Sequence, residues 1–415
     1  MTEERIPRLV AKWVTRLTLW PIALMLAIGY GLHLALQSDL RVMDKESASL
    51  AERDKAREAR FRAELAKVPE LDLRLAPAPA LRTAHGGGIA LALQSKAPDL
   101  RALVVGGTWN PYVLWRTADS KRGTRNNYTG LAMDLARQGS TVVQIDDERV
   151  LVSGGHDHMK PREAARAVHS VWQVGPFHPD RAIPMTVPRA YHAAFAVTPH
   201  DVVVLGGESA LVPTDTVERV DLTTGVSRLS TPMSEARSRF ASLRLPDGRL
   251  LLTGGLGKGG FGAPPIASAE FYDPLREATT AAPPMATARH SHGMLLLGDG
   301  SVLVAGGLRF DPRQGAPDVL DAVELWRDGG WKTVHPMHFP RYLPVLARLT
   351  DGRVLAMGGG NPYVEVWDPA RDQWDIVGHA RREVFAGLPF DATEIIVASP
   401  GSTTAYLNPY ATLEN

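Results

Sequence analysis

Six pairs of adjacent glycines constrain this chain more than any other feature: Gly106-Gly107, Gly154-Gly155, Gly206-Gly207, Gly254-Gly255, Gly306-Gly307 and Gly358-Gly359. Successive pairs are 48, 52, 48, 52 and 52 residues apart. A fixed period of this length marks one supersecondary unit copied along the chain and stacked on its neighbours. Each pair ends a short apolar run (ALVV, VLVS, VVVL, LLLT, VLVA, VLAM). Such runs fit buried strands that stop where the backbone takes a conformation open to glycine.

Other landmarks keep the same beat. Pro-Met occurs at Pro184-Met185, Pro232-Met233, Pro284-Met285 and Pro336-Met337, and an arginine follows four residues after each Met: Arg189, Arg237, Arg289 and Arg341. Each arginine stands 17 residues before the first glycine of its pair, as does Arg137 before Gly154. Between arginine and glycine the sequence holds two apolar segments around a bend, with Asp247-Gly248, Asp299-Gly300 and Asp351-Gly352 at the bend, a strong hairpin signal. A third strand follows with an early glutamate (Glu218, Glu270, Glu324, Glu365), and a fourth twice carries tryptophan (Trp331, Trp374). Four antiparallel strands per unit make one blade of a β-propeller, so the fold class is all-β.

The residues from about 80 onward resemble the Kelch repeat: Arg-x-x-His opening an inner strand, an apolar strand into Gly-Gly, a Val-Glu-Val-Tyr-Asp-Pro-like third strand, then Trp. The third strand reads EFYDP at Glu270 to Pro274 and EVWDP at Glu365 to Pro369. Arg-x-x-His is intact at Arg82/His85, Arg189/His192 and Arg289/His292, and gives way to Ser140, Phe240 and Pro344 in other units. The resemblance implies a Kelch-type propeller over residues 69–415. Seven blades are expected, with six the alternative. In the seventh, a degenerate hairpin runs from Arg381 through Ile395-Ile396-Val397-Ala398, Thr403 to Leu407 is the third strand, and Leu71 to Leu75 closes the ring by joining the two ends of the chain.

The N-terminal residues do not share this pattern. Leu17 to Leu36 is a run of twenty residues without Asp, Glu, Lys or Arg, long enough to cross a hydrocarbon core of ~30 Å as a helix. A cleaved signal peptide is the rival reading, but no small-x-small cleavage site closely follows Leu36. Arg5, Arg8, Lys12 and Arg16 precede the run, which places residues 1–16 in the cytoplasm and everything after Leu36 outside it, in the periplasm if the cell is Gram-negative. Residues 37–68 are densely charged, with pairs such as Glu58 and Arg62 at i,i+4 spacing, and read as a helical stalk of up to roughly 45 Å at ~1.5 Å per residue. Its apolar residues keep no heptad, which argues against a coiled coil.

In an antiparallel hairpin the start of the first strand and the end of the second lie at one end. The arginines and the loops after the glycine pairs therefore share a face, and the Asp-Gly bends share the other. If Leu71 to Leu75 is the closing strand, the stalk enters from the bend face and the arginine face points away from the membrane. Two readings of Arg82, Arg137, Arg189, Arg237, Arg289 and Arg341 stay open. They line a basic mouth for an acidic ligand, since guanidinium grips carboxylates bidentately, or each pairs with a third-strand glutamate inside the fold. The same face collects non-repeating loops: Trp109 and Tyr112, which suit stacking on a sugar or a partner, and His156-Asp157-His158. Those histidines are metal-ligand types but lack a third ligand, so no metal and no cofactor is expected. Gly257-Lys258-Gly259-Gly260 is no phosphate loop, because Gly259 stands where that motif needs Ser or Thr.

Two function classes follow. A net charge of +1 gives no field to draw nucleic acid. No nucleophile, base and orienting group are recognisable together, which favours a non-catalytic binding or scaffold module for a protein or glycan. Kelch-like propellers also include copper galactose oxidases and sialic-acid epimerases. The oxidase cofactor joins a tyrosine to a cysteine, and this chain has no cysteine. A sugar-acid epimerase or lyase using Arg with His85, His192 or His292 is the enzymatic alternative.

Overall fold

The computed structural model describes parts of 52–68, strand backbone between 74 and 138 and between 386 and 407, and most of 139–380 apart from 147–148, 158–167, 174–177, 261, 311–316 and 350. The chain divides into two units, 1–68 and 69–415. In the first, residues 58–65 are helical, and Arg62 Nη2 lies 2.6 Å from Glu58 Oε1 in an exposed i,i+4 ion pair. The expected membrane span, 17–36, lies outside the described residues; among those described, no helix is long and apolar enough to cross a membrane.

The second unit is built from seven four-stranded antiparallel sheets among the described residues. Sheet 1 comprises Ile89–Ala92, Ala102–Val105, Tyr112–Asp119 and Gly123–Gly130. Sheet 2 comprises Thr141–Gln144, Arg149–Ser153, Val168–Gln173 and His178–Pro184. Sheet 3 has Ala193–Thr198, Asp201–Leu205, Val217–Asp221 and Val226–Ser230. Sheet 4 has Ala241–Arg244, Leu250–Thr253, Ala269–Asp273 and Ala278–Ala282. Sheet 5 has Gly293–Leu296, Val302–Ala305, Val323–Arg327 and Gly330–Val334, and sheet 6 has Val345–Arg348, Val354–Met357, Tyr363–Asp368 and Gln373–His379. Sheet 7 joins Ala386–Pro389, Ile395–Ser399 and Ser402–Leu407 to Arg74–Ala76, which pairs antiparallel with the third of these, Arg74 opposite Tyr406. Of the expected closing strand Leu71 to Leu75, Arg74 and Leu75 are in this strand, and 71–73 lie outside the described residues.

First strands of successive sheets adjoin from sheet 1 to sheet 3 and from sheet 4 to sheet 7, and that of sheet 7 adjoins that of sheet 1. Sheets 3 and 4 share a core of Leu205, Val217, Leu250, Leu252 and Tyr272, so the sheets succeed one another around a ring. The second strands explain the unbroken apolar runs. Leu250 and Leu252 face sheet 3, while Leu251 faces sheet 5 with Val302 and Trp326. A strand packed on both faces has no polar side to alternate with, and each such Leu or Val contributes about 1.5–3 kcal/mol on full burial.

The bends close as a tight turn followed by a left-handed glycine. Gly248 N–H donates to the Leu245 carbonyl at 2.9 Å, and Gly248, Gly300 and Gly352 have φ of 90°, 85° and 91°. At the other face two short hairpins leave the ring after the glycine pairs, Glu208–Ser209 with Val212–Pro213 and Leu308–Phe310 with Pro317–Val319.

Candidate functional site at the mouth of the ring

Every described arginine side chain of the repeat is engaged inside the fold. Arg189, Arg237, Arg289 and Arg341 are fully buried. In each, Nη1 donates to the carbonyl of the first glycine 17 residues on: Gly206 at 2.8 Å, Gly254 at 2.9 Å, Gly306 at 2.9 Å and Gly358 at 2.8 Å. Each also meets its sheet's third-strand glutamate: Glu218 at 3.3 Å, and Glu270, Glu324 and Glu365 at 2.7 Å. The glutamate in turn accepts the backbone N–H of the residue after the Pro-Met, at Thr186, Ser234, Ala286 and His338. Burial pulls the Arg189 pKa down to about 10, well above neutrality, so it stays charged beside Glu218.

The arginine's own carbonyl reaches back to the preceding sheet. Gly155 N–H donates to Arg189 O, Gly207 to Arg237 O, Gly255 to Arg289 O and Gly307 to Arg341 O, at 2.7–2.9 Å. The paired glycines have positive φ, 59° and 106° at Gly254 and Gly255. A Cβ at Gly254 would also collide with the Arg289 carbonyl, so this position excludes a side chain on two counts. Of the two readings of the arginines, these four follow the internal one: their guanidinium groups are not presented to a ligand.

The histidines of Arg-x-x-His behave alike. His192 Nε2 lies 2.8 Å from Ser153 Oγ and His292 Nε2 lies 2.8 Å from Thr253 Oγ1, each hydroxyl standing just before the glycine pair of the preceding sheet. Ser153 Oγ also meets His169 Nδ1 at 3.0 Å. Burial, then the neighbouring arginine and a second histidine, holds His192 and His292 well below the usual histidine range, so both are neutral. Where the preceding hydroxyl gives way to Leu205 or Ala305, the histidine gives way to Phe240 or Pro344.

Arg82, His85, Trp109 and His158 lie outside the described residues, and Tyr112, Arg137 and Asp157 enter only as strand backbone. Arg137 pairs with Asp157, and Gln138 with His156, in a two-residue ladder. His156 is buried, its ring tilted 49° to that of Tyr191 with centroids 6.2 Å apart. No group of three or more His, Cys, Asp or Glu among the described residues is disposed to hold a metal.

The site that the structure does assemble was not evident in the sequence. Two residues after each arginine stands a left-handed residue: Gly139 (φ 73°), Tyr191 (52°), Arg239 (53°), Ser291 (53°) and Leu343 (47°). Their backbones form a belt across five successive sheets. Tyr191 N–H donates to Gly139 O, Arg239 to Tyr191 O, Ser291 to Arg239 O and Leu343 to Ser291 O, at 2.6–3.1 Å. Within the belt the Arg239 guanidinium lies 3.6 Å from the Tyr191 ring centroid and its Nη2 donates to Glu208 Oε1 at 2.9 Å. Ser238 Oγ donates to Glu208 Oε2 at 2.6 Å. His290, 3.0 Å from Ser291 Oγ through Nδ1, is pushed down to about 4 by burial and by Arg239. Tyr342 and Leu343 continue the mouth as exposed apolar side chains. Only Gly139 advertised the left-handed position in the sequence.

No protein-family model matches the chain. Among curated proteins it is similar to the human Kelch-like protein 34, with 33% identity over 145 residues. That match covers 34% of this chain and 22% of the relative, so the chain spans about a fifth of the curated relative it matches. Among solved structures it is similar to a fungal alcohol oxidase of the AA5 family in complex with copper, with a TM-score of 0.56 and 14% identity over 81% of this chain and 76% of that one. It is also similar to YjhT, with a TM-score of 0.51 and 13% identity over 72% of this chain and 98% of that one. At these identities the solved structures speak to the fold alone, and the copper belongs to the oxidase. The fifty-residue repeat, the ring of four-stranded sheets and these similarities together support a Kelch-type β-propeller.

Proposed function

We propose that the chain is a non-catalytic binding module: a seven-bladed Kelch-type propeller, anchored by residues 17–36 with its N-terminus cytoplasmic and the ring extracytoplasmic, whose mouth engages a protein partner. The observation that carries this reading is the internal engagement of Arg189, Arg237, Arg289 and Arg341. A sugar-acid epimerase or lyase needs free guanidinium groups to hold a carboxylate and a titrating base beside them. Here the described arginines are paired with glutamates, and His192 and His292 are buried and neutral. The exposed Tyr342 and Leu343, on the same belt as the Tyr191-Arg239 stack with Ser291 between, offer instead the aromatic, arginine-containing surface that protein partners favour. The similarity to a Kelch-like protein supports the same class.

The test uses the full chain in its native membrane. A photo-crosslinking residue replacing Leu343 captures a specific protein that the same group replacing Val226, on an outer strand, does not. Conversion of a sialic or uronic acid by the detergent-solubilised chain, abolished by His192→Phe, refutes the binding-module reading. Crosslinking only to glycan points to the carbohydrate form of the module.

A further inference from the structure

Among the described residues five histidines are buried, His156, His169, His192, His290 and His292, and all five stand at two of the ring's seams. Between sheets 2 and 3, His192 Nε2 and His169 Nδ1 share the Ser153 hydroxyl, His169 Nε2 faces Glu218 Oε1 at 3.7 Å, and the His156 ring tilts against that of Tyr191. Between sheets 4 and 5, His292 Nε2 meets Thr253 Oγ1, and His290, which feels the Arg239 charge, bonds Ser291 Oγ. The seams on either side are built differently. Between sheets 3 and 4, Phe240 takes the place of the histidine: its Cε1 stands 3.0 Å from where a Cβ on Gly206 would lie, as His292 Cε1 does from one on Gly254. Between sheets 5 and 6 the same position is Pro344. At the mouth end, sheets 3 and 4 are therefore held to each other by Phe240 and the Arg239-Glu208 ion pair, and to sheets 2 and 5 by histidine-hydroxyl contacts.

Such a contact lasts only while the ring is neutral. An imidazolium carries N–H on both nitrogens and needs two acceptors. Nδ1 of His192 and Nδ1 of His292 have no hydrogen-bond partner among the described residues, so a proton added to either ring leaves an N–H stranded in the fold. The new charge would also face a guanidinium: Arg189 at His192, Arg289 at His292 and Arg239 at His290. His169 and His290 add a second ring beside His192 and His292. Glu218 faces His169 and opposes the effect there, but Arg189 already pairs with that carboxylate. We propose that sheets 3 and 4 form an acid-sensitive segment of the ring, whose mouth end mild acid loosens from sheets 2 and 5 while the apolar cores deeper in both seams keep the ring closed. Burial holds His169, His192, His290 and His292 below the usual histidine range, so their contribution is complete above the ordinary 6.5 and is lost as pH falls beneath it. The Tyr191-Arg239 stack rides on the segment and shifts with it against Gly139 and Ser291 on its flanks.

The belt supplies the readout. Two of its bonds cross the histidine seams, Tyr191 N–H to Gly139 O and Ser291 N–H to Arg239 O; the other two, Arg239 N–H to Tyr191 O and Leu343 N–H to Ser291 O, cross the seams built without histidine. Hydrogen exchange of the folded full-length chain in detergent is read amide by amide at about pH 7.5 and about pH 5.5 and corrected for the intrinsic rate. Between these values, protection at Tyr191 and Ser291 should fall about tenfold for each histidine that takes up a proton on opening, while protection at Arg239 and Leu343 holds. Equal losses at all four amides, or none at Tyr191 and Ser291, overturn the proposal. The variant Thr253→Leu with His290→Asn and His292→Phe copies the Leu205-Phe240 contact into the seam between sheets 4 and 5. Its acid response should vanish at Ser291 and persist at Tyr191, the latter showing that the variant is folded. A response that persists at Ser291 also overturns the proposal.

Discussion

Arg289→Met asks whether the repeated arginines hold the fold or await a ligand. Arg289 donates to Gly306 O at 2.9 Å, to Ala322 O at 2.7 Å and to Glu324 Oε1 at 2.7 Å, all within the fold. Methionine keeps most of the stem's volume and removes the charge. Glu324, only 2% exposed, then retains just the backbone N–H groups of Ala286 and Thr287. Leaving one member of a buried ion pair uncompensated costs about 3–5 kcal/mol, a large part of the stability of an ordinary domain at about 5–15 kcal/mol. Replacing Glu324 by Gln in the same chain removes the stranded charge and keeps an acceptor for one of the two N–H groups, which meet different oxygens of Glu324. The double variant should therefore recover at least about 2 kcal/mol over Arg289→Met, a coupling expected of residues in direct contact. Urea unfolding followed by tryptophan fluorescence measures both. A loss below about 1 kcal/mol for Arg289→Met, together with lost binding of an acidic sugar or peptide, would refute the argument.

Four further outcomes follow from the same geometry. Ser153→Leu and His192→Phe should each destabilise the seam between sheets 2 and 3, while the two together, which recreate the Leu205-Phe240 pairing of the next seam, should recover most of the loss in urea titrations. Leu343→Gly, at a left-handed position already accepted as glycine at Gly139, should leave stability unchanged or raise it by up to about 1 kcal/mol while lowering capture of a partner. His290, neutral in the fold and held down to about 4, favours the unfolded chain as pH falls from its ordinary 6.5 toward 4. It should thus cost about 1.4 kcal/mol per pH unit across that window, a slope that His290→Asn removes. Glu277 shifts in the same direction in a lower window: a carboxylate lowered from 4.5 to about 2 by Arg228 and Ser230 adds stability that is complete above pH 4.5 and lost as pH falls toward 2, so Glu277→Gln should flatten that lower limb of the acid-unfolding curve.

What the sequence disclosed and what it withheld divide on physical lines. A glycine is legible because left-handed backbone and a neighbouring carbonyl at Gly254 leave no alternative. An apolar run such as LLLT is legible because both its faces are buried. Ring closure was legible in outline, since the seventh hairpin lacked a fourth strand and a spare one preceded the first unit; the pairing of Arg74 with Tyr406 was not, because nothing in the residue types fixes that register. The arginines were legible as a repeat but ambiguous in role, because a guanidinium that caps Gly306 O and one that awaits a carboxylate ligand leave the same mark in the chain. The decisive partner, Glu324, lies 35 residues away.

The mouth was hidden for a different reason. Tyr191, Arg239, Ser291 and Leu343 differ in size and chemistry, so no pattern of residue type joins them, and what they share is a backbone conformation that glycine alone takes without strain. The repeat accepts glycine there once, at Gly139, which shows that the fold itself asks for no side chain at this position. Four units nonetheless bear side chains at a cost of about 1–2 kcal/mol each. Tyr191, Arg239 and Ser291 offset part of that cost inside the fold, through their stack, the Arg239–Glu208 ion pair and the His290 contact, whereas Leu343 is 47% exposed and carries the same strain. That inequality at Leu343, more than the shape of the ring, is what supports the proposal that the mouth engages a partner.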